Sequence, residues 1–315
     1  MSSSKPGNFI SRLFHHKKKS QEKVPTVPAT ESVGTAETEP AATKPVLYVF
    51  SASVWASAPS LALLELNYPP GAVEEKVVNL LEGENFTPEF IKINKNATLP
   101  TLATAEKTYT DTAGSVEWIV LNAPTPGAKS PHQDVIIAVH RDNIDPNFSL
   151  LSARTQEELD SKRGDVPGQF VRQRQAKLEA LAPKSPEDLK TWYKEKLEFN
   201  GFLSSVYAEG ASPGVTSGWF EKSNQHWDNV KTFLASELPG FLPESGFIDG
   251  TAPGEADFHV AAWLARTAGV SGAKIDDISP LGEALGLTLD SKVVAYFDAW
   301  KVRDSWKKVY ADGLH

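Results

Sequence analysis

From Pro45 onward the apolar residues fall into short, regular groups. "VLYVF" (46–50) is a β-branched and aromatic run that predicts a buried strand. "APSLALLEL" (58–66) spaces Leu61 and Leu64 on one helical face, with a proline in what would be its first turn. "EEKVVNL" (74–80) predicts a second strand, and residues 88–93 a short helix. "PTLAT" and "KTYT", separated by a charged turn, predict a hairpin, and a further helix opens within "DTAGSVEWIVL". The order is strand, helix, strand, helix, strand, strand, helix, which describes a compact α/β domain.

Beyond Pro124 the period changes. "LLSARTQEELDSK", "GQFVRQRQAKLEAL", "SPEDLKTWYKEKLEFNGFLSSVY", "SGWFEKSNQHWDNVKTFLASEL", "EADFHVAAWLAR" and "SKVVAYFDAWKVRDSWKKVY" all carry helical spacing, with Ser-Pro, Pro-Gly or Gly at their boundaries. No strand pair is predicted there and no internal repeat is visible. Three regions result: a tail over 1–44, an α/β domain over 45–122 and an all-α domain over 123–315.

The tail has little to bury. Its Pro, Thr, Ala and Glu content predicts disorder. Within it "NFISRLFHHKKKS" joins four apolar residues to a basic run, which fits a solvated basic tail and also a mitochondrial-targeting or membrane-touching segment. The net charge of −8 conceals this asymmetry: from Pro45 onward 25 basic residues face 36 acidic ones, a net of −11. So acidic a body argues against a nucleic-acid partner. No segment reaches the ~18 uncharged apolar residues a membrane span needs, so stable membrane insertion is not expected. The chain has no cysteine, which excludes disulfides, thiolate metal sites and any mechanism using a protein thiol. His132, His140, His226 and His259 lack metal-ligand spacing, and no metal is expected. The sequons at Asn85, Asn96 and Asn147 carry no weight without a secretory signal. Trp192, Trp219, Trp227, Trp263, Trp300 and Trp306 are expected in the helical core.

Several motifs in order carry a family resemblance. Pro88-Glu89-Phe90, Asn94, Leu99-Pro100-Thr101-Leu102 and Asp111-Thr112 stand where cytosolic glutathione transferases have Pro-Glu-Phe, an Asn turn, hydrophobic-Pro-x-Leu and an acidic-hydroxyl pair opening a helix. "GEADFHVAAWLA" is similar to the family's later helix-opening motif, with Asp257 three residues after Gly254. The resemblance covers about residues 46–122 well and the helical domain loosely, and it points to fungal, serine-type, theta-like members.

That resemblance implies a thioredoxin-like domain followed by an all-α domain, a cytoplasmic homodimer, and glutathione as co-substrate. It implies a cis bond at Leu99-Pro100, with the Leu99 backbone pairing with the cysteinyl unit. Asp111 and Thr112 would meet the γ-glutamyl ammonium and carboxylate. The Ser-x-Pro of serine-type members matches Ser57-Ala58-Pro59, which makes Ser57 the candidate for activating the thiol. Ser51 and Ser53 are its competitors, because the loop is longer than usual and Leu61 replaces a common basic residue. The activity implied is attack of the glutathione thiolate on a small hydrophobic electrophile. The alternative is a protein of the same fold that binds or regulates without turnover.

Overall fold

A computed structural model of the chain describes residues 44–125 and 127–315; the tail expected to be disordered lies, up to residue 43, outside the described residues. Strand β1 (Val46–Val49) pairs in parallel with β2 (Glu74–Val77) and antiparallel with β3 (Thr101–Ala103), which pairs antiparallel with β4 (Thr108–Tyr109). The sheet order is β2-β1-β3-β4, the thioredoxin-like arrangement expected. Alternation along β1 sets the two faces. Leu47 points into the main core under helices α1 (Val54–Glu65) and α3 (Thr112–Leu121). Tyr48 points the other way, toward Phe90 of α2 (Pro88–Ile93) and Leu99. β2 ends before the predicted residue 80. β1 offers no partner beyond Val49, and the Asn79 side chain accepts from the Leu81 and Glu82 amides, closing a turn.

The start of α1 corrects the sequence reading. The helix begins at Val54 rather than Ala58, with Ser53 as its N-cap and Pro59 inside it. Val54, Ala58, Leu61 and Ala62 form one buried stripe at helical spacing. Burying those extra residues outweighs the roughly 3 kcal/mol of an internal proline.

The remainder is helical, as expected; among the described residues only two isolated β-bridges lie beyond Leu121. In order come α4 (Gln133–Val139), α5 (Pro146–Leu151), α6 (Gln156–Gly164), α7 (Val166–Leu181), α8 (Lys190–Tyr207) and α9 (Pro213–Thr232). A π turn (Phe233–Glu237) joins α9 to α10 (Leu238–Phe241). Then follow α11 (Glu255–Val270), α12 (Ser279–Leu285), α13 (Ser291–Lys301) and α14 (Asp304–Val309). No described helix is long and apolar enough to cross a membrane.

Helix α11 is buried on every side from Glu255 to Ala268 and organises the molecule. Asp257 closes a capping box on Gly254 and also accepts from the Ile248 and Asp249 amides and the Tyr296 hydroxyl. The Trp263 indole donates to Ile144 O at 2.9 Å. The Arg266 guanidinium donates to Ala52 O at 2.6 Å, fastening the loop that precedes α1. One apolar core runs without a break from Leu47, Leu61 and Val116 into Val135, Trp263 and Trp300.

Helices α7 and α8 make a second attachment. Phe86, Ile91 and Ala97 of the α/β unit pack with Leu178 and Tyr193. The Tyr193 hydroxyl donates to Phe86 O, and the Trp192 indole to Lys95 O. The α6–α7 corner is tight: a Cβ at Gly168 would stand 2.1 Å from Arg163 O, so only glycine fits there.

Candidate functional site

Where the helical unit meets the α/β unit, a cavity of about 510 Å³ opens. Ser53, Leu99, Asp111 and Thr112 line one wall. Ile136, His140, Phe170 and Arg174 line the other. Four of the sequence-predicted residues therefore come together, and Pro100 stands behind Leu99 without lining the cavity.

Leu99 is buried, and the Leu99–Pro100 bond is cis, as the resemblance implies. Among the described residues neither the N–H nor the C=O of Leu99 forms a hydrogen bond. A buried, unpaired peptide is costly, so it marks an edge that a peptide-like ligand can complete. Asp111 is the N-cap of α3, and its Oδ1 accepts from the Gly114 amide at 2.7 Å. Thr112 begins the helix, is 6% exposed, and its hydroxyl makes no hydrogen bond among the described residues. Free amides and the positive end of the α3 dipole give this corner an affinity for a carboxylate.

The serines separate. Ser57 lies within α1, one turn past its start, with its hydroxyl directed back at Ser53 O at 3.4 Å. With Ser51 it lines a different cavity of about 260 Å³ beside Lys308 and His315. A helix starting at Ala58 would put Ser57 directly before it; because α1 starts at Val54, that position belongs to Ser53. Ser53 caps α1 without using its side chain, and its hydroxyl makes no hydrogen bond among the described residues. An unused hydroxyl at the positive end of a helix can donate to an anion in the cleft.

Other lining residues went unsignalled in the sequence. The Trp55 ring stacks on His140 at 3.9 Å and 23°. His140 Nε2 lies 3.0 Å from Nδ1 of the fully buried His259, so one ring donates to the other. Burial pushes the His259 imidazole down to about 3, which keeps it neutral. Among the described residues its Nε2 has no partner. Asn85, Asn96 and Asn147, met in the sequence only as sequons, all line the cavity. The other tryptophans are core as expected; Trp219, Trp263, Trp300 and Trp306 are essentially inaccessible, whereas Trp192 lies partly exposed against the Asn96 loop.

The sequence matches no protein-family model and no curated protein. Solved structures do resemble the chain. A glutathione S-transferase from Drosophila melanogaster, isozyme E7, has 17% identity and a TM-score of 0.47, covering 85% of this chain and 91% of its own. Glutathione transferase F2 from Populus trichocarpa has 15% identity and a TM-score of 0.47 over 85% and 98% of the two chains. Human glutathione transferase theta-2, solved with glutathione and an unknown ligand, has 16% identity and a TM-score of 0.45 over 84% and 87%. Likeness of this degree says nothing about the chemistry of the cleft, which stands on its own geometry.

Proposed function

We propose that the protein is a serine-type glutathione transferase in which Ser53, not Ser57, activates the thiol. The carrying observation is that the uncommitted Ser53 hydroxyl and the unpaired Leu99 peptide face one cleft. Glutathione would lie with its cysteinyl backbone on Leu99. Its γ-glutamyl carboxylate would sit at Thr112 and the α3 amides, and its ammonium beside the free oxygen of Asp111. The sulfur would then meet the Ser53 O–H and the amino end of α1.

A thiol of pKa ~8.5 is only a few per cent thiolate at neutral pH. Lowering it by two units requires ~2.7 kcal/mol of preference for the anion. A charge-assisted hydrogen bond together with a helix dipole supplies that order of energy. The thiolate would attack an electrophile held against Trp55, Ile136 and Phe170. The protein would act as a cytoplasmic homodimer, in keeping with the fungal, theta-like resemblance.

The test is retention on immobilised glutathione, then the ultraviolet absorbance of the bound thiolate against pH. Ser53→Ala should raise the thiol pKa by one unit or more, while Ser57→Ala should leave it in place. The reverse result would overturn the assignment. Retention without turnover of any generic electrophile would favour a binding or regulatory protein instead.

A further inference from the structure

Arg174 projects from α7 into the cleft with no acidic partner. No ion pair or hydrogen bond engages its guanidinium among the described residues, and no carboxylate influences its titration. It is held by faces instead. The guanidinium lies 4.3 Å from the Phe86 ring centroid and 4.6 Å from that of Phe170, one turn earlier on the same helix. Two aromatic rings fix its position and leave its hydrogen-bonding edge for something else.

A second cation stands nearby. Lys196 of α8 reaches Asn96 O at 3.4 Å, and its ammonium is pushed down to about 8 by burial and then by the charge of Arg174. Burial pulls Arg174 itself down to about 9, which still leaves it charged at neutral pH. The two half-buried cations face one loop and repel each other, Glu195 offsetting the charge of Lys196 but no carboxylate that of Arg174, and a bound anion would remove that cost.

We infer that Arg174, backed by Lys196, forms a carboxylate-binding subsite on the helical wall of the cleft, distinct from the α3 corner at Thr112. Its planar fork suits a carboxylate, which it can meet with two parallel N–H bonds. The inference rests on the reading of the cleft as a binding site, but not on the thiol chemistry. Two molecules could bring the carboxylate: the bound tripeptide through its glycyl end, or an acidic electrophile.

Three acid/neutral pairs test it by calorimetry and turnover, in wild type, Arg174→Met and Arg174→Lys: benzoate against benzamide, glutathione against its glycyl amide, and a chloronitrobenzoate against its methyl ester. Wild type should bind benzoate about tenfold or more better than benzamide, the scale of a charge-assisted hydrogen bond. Arg174→Met, which keeps the apolar stem, should abolish that preference, and Arg174→Lys should keep part of it. Loss of the preference in the glutathione pair would assign the carboxylate to the tripeptide; loss in the chloronitrobenzoate pair would assign it to the electrophile. No preference for the acid in any pair, or a preference that survives Arg174→Met, would overturn the subsite. The benzoate pair needs no glutathione, so a protein that prefers benzoate yet ignores glutathione refutes the transferase reading and not this one. Should Arg174→Met fail to fold, the wild-type pairs and Arg174→Lys still decide it.

Discussion

Two buried histidines should make the fold acid-sensitive in a window that surface groups do not explain. His226 is 4% exposed, with Ser149 Oγ 2.7 Å from its Nε2 and Lys162 nearby; burial pushes it down to about 4. His259 is inaccessible, among the described residues meets only His140 through its ring nitrogens, and is pushed down to about 3. In the unfolded chain both titrate near pH ~6.5. Their stability contribution is therefore complete above that value and is lost as pH falls toward the folded pKa, because only the unfolded state takes up protons. Between about pH 7.5 and about pH 5 each should cost about 2 kcal/mol, or about 4 together. Asp257 works in the opposite direction, since burial raises its carboxyl to about 6 and the folded state gains a proton there. A comparison of proteins removes that contribution. Urea unfolding at both pH values should show wild type losing about 4 kcal/mol more than the His226→Gln/His259→Gln double variant. Equal losses would mean that the rings are protonated in the folded protein, and the burial argument would fail.

Asp257→Ala should destabilise by at least ~3 kcal/mol, because three backbone amides and the Tyr296 hydroxyl lose a buried acceptor. A loss under ~1 kcal/mol in urea titration would show that these groups find other partners. Thr112→Ala should weaken glutathione binding by about tenfold or more, as one hydroxyl donor to a carboxylate disappears. Unchanged affinity by calorimetry would reduce Thr112 to a helix-opening residue.

Local pattern made much of the α/β unit legible. The β1 run, the hairpin and the Asp111-capped helix are each set by residues within a few positions of one another. The α1 start was not, because Pro59 looks like a first-turn proline unless one knows that Val54 is needed in the core. Helix α4 escaped for a similar reason. "VIIAV" is β-branched, and only packing against α11 reveals that Val135, Ile136 and Val139 share a buried face while Ile137 is 68% exposed. In the cleft, the residues adjacent to local motifs were readable: Leu99, Asp111 and Thr112. Trp55, His140 and Arg174 arrive there through tertiary packing, and no spacing in the sequence announces them.

The bond from Arg266 to Ala52 joins residues 214 positions apart, and it has a consequence for how the protein comes into being. A ribosome releases the α/β segment first, yet the loop that carries Ser53 is fastened by a helix made close to the end of the chain. The core surrounding Leu47 and Leu61 is likewise completed by Trp263 and Trp300. Contacts of such sequence separation are slow to close and reward the chain only late. During synthesis the early segment therefore has its sheet and α1 to α3 but leaves α1 without the cover of α11, and the cleft takes its final shape only once α11 docks. What looks in the sequence like a domain boundary near residue 122 is crossed by one continuous apolar core and by the Arg266–Ala52 bond, so the two halves are expected to gain their stability together.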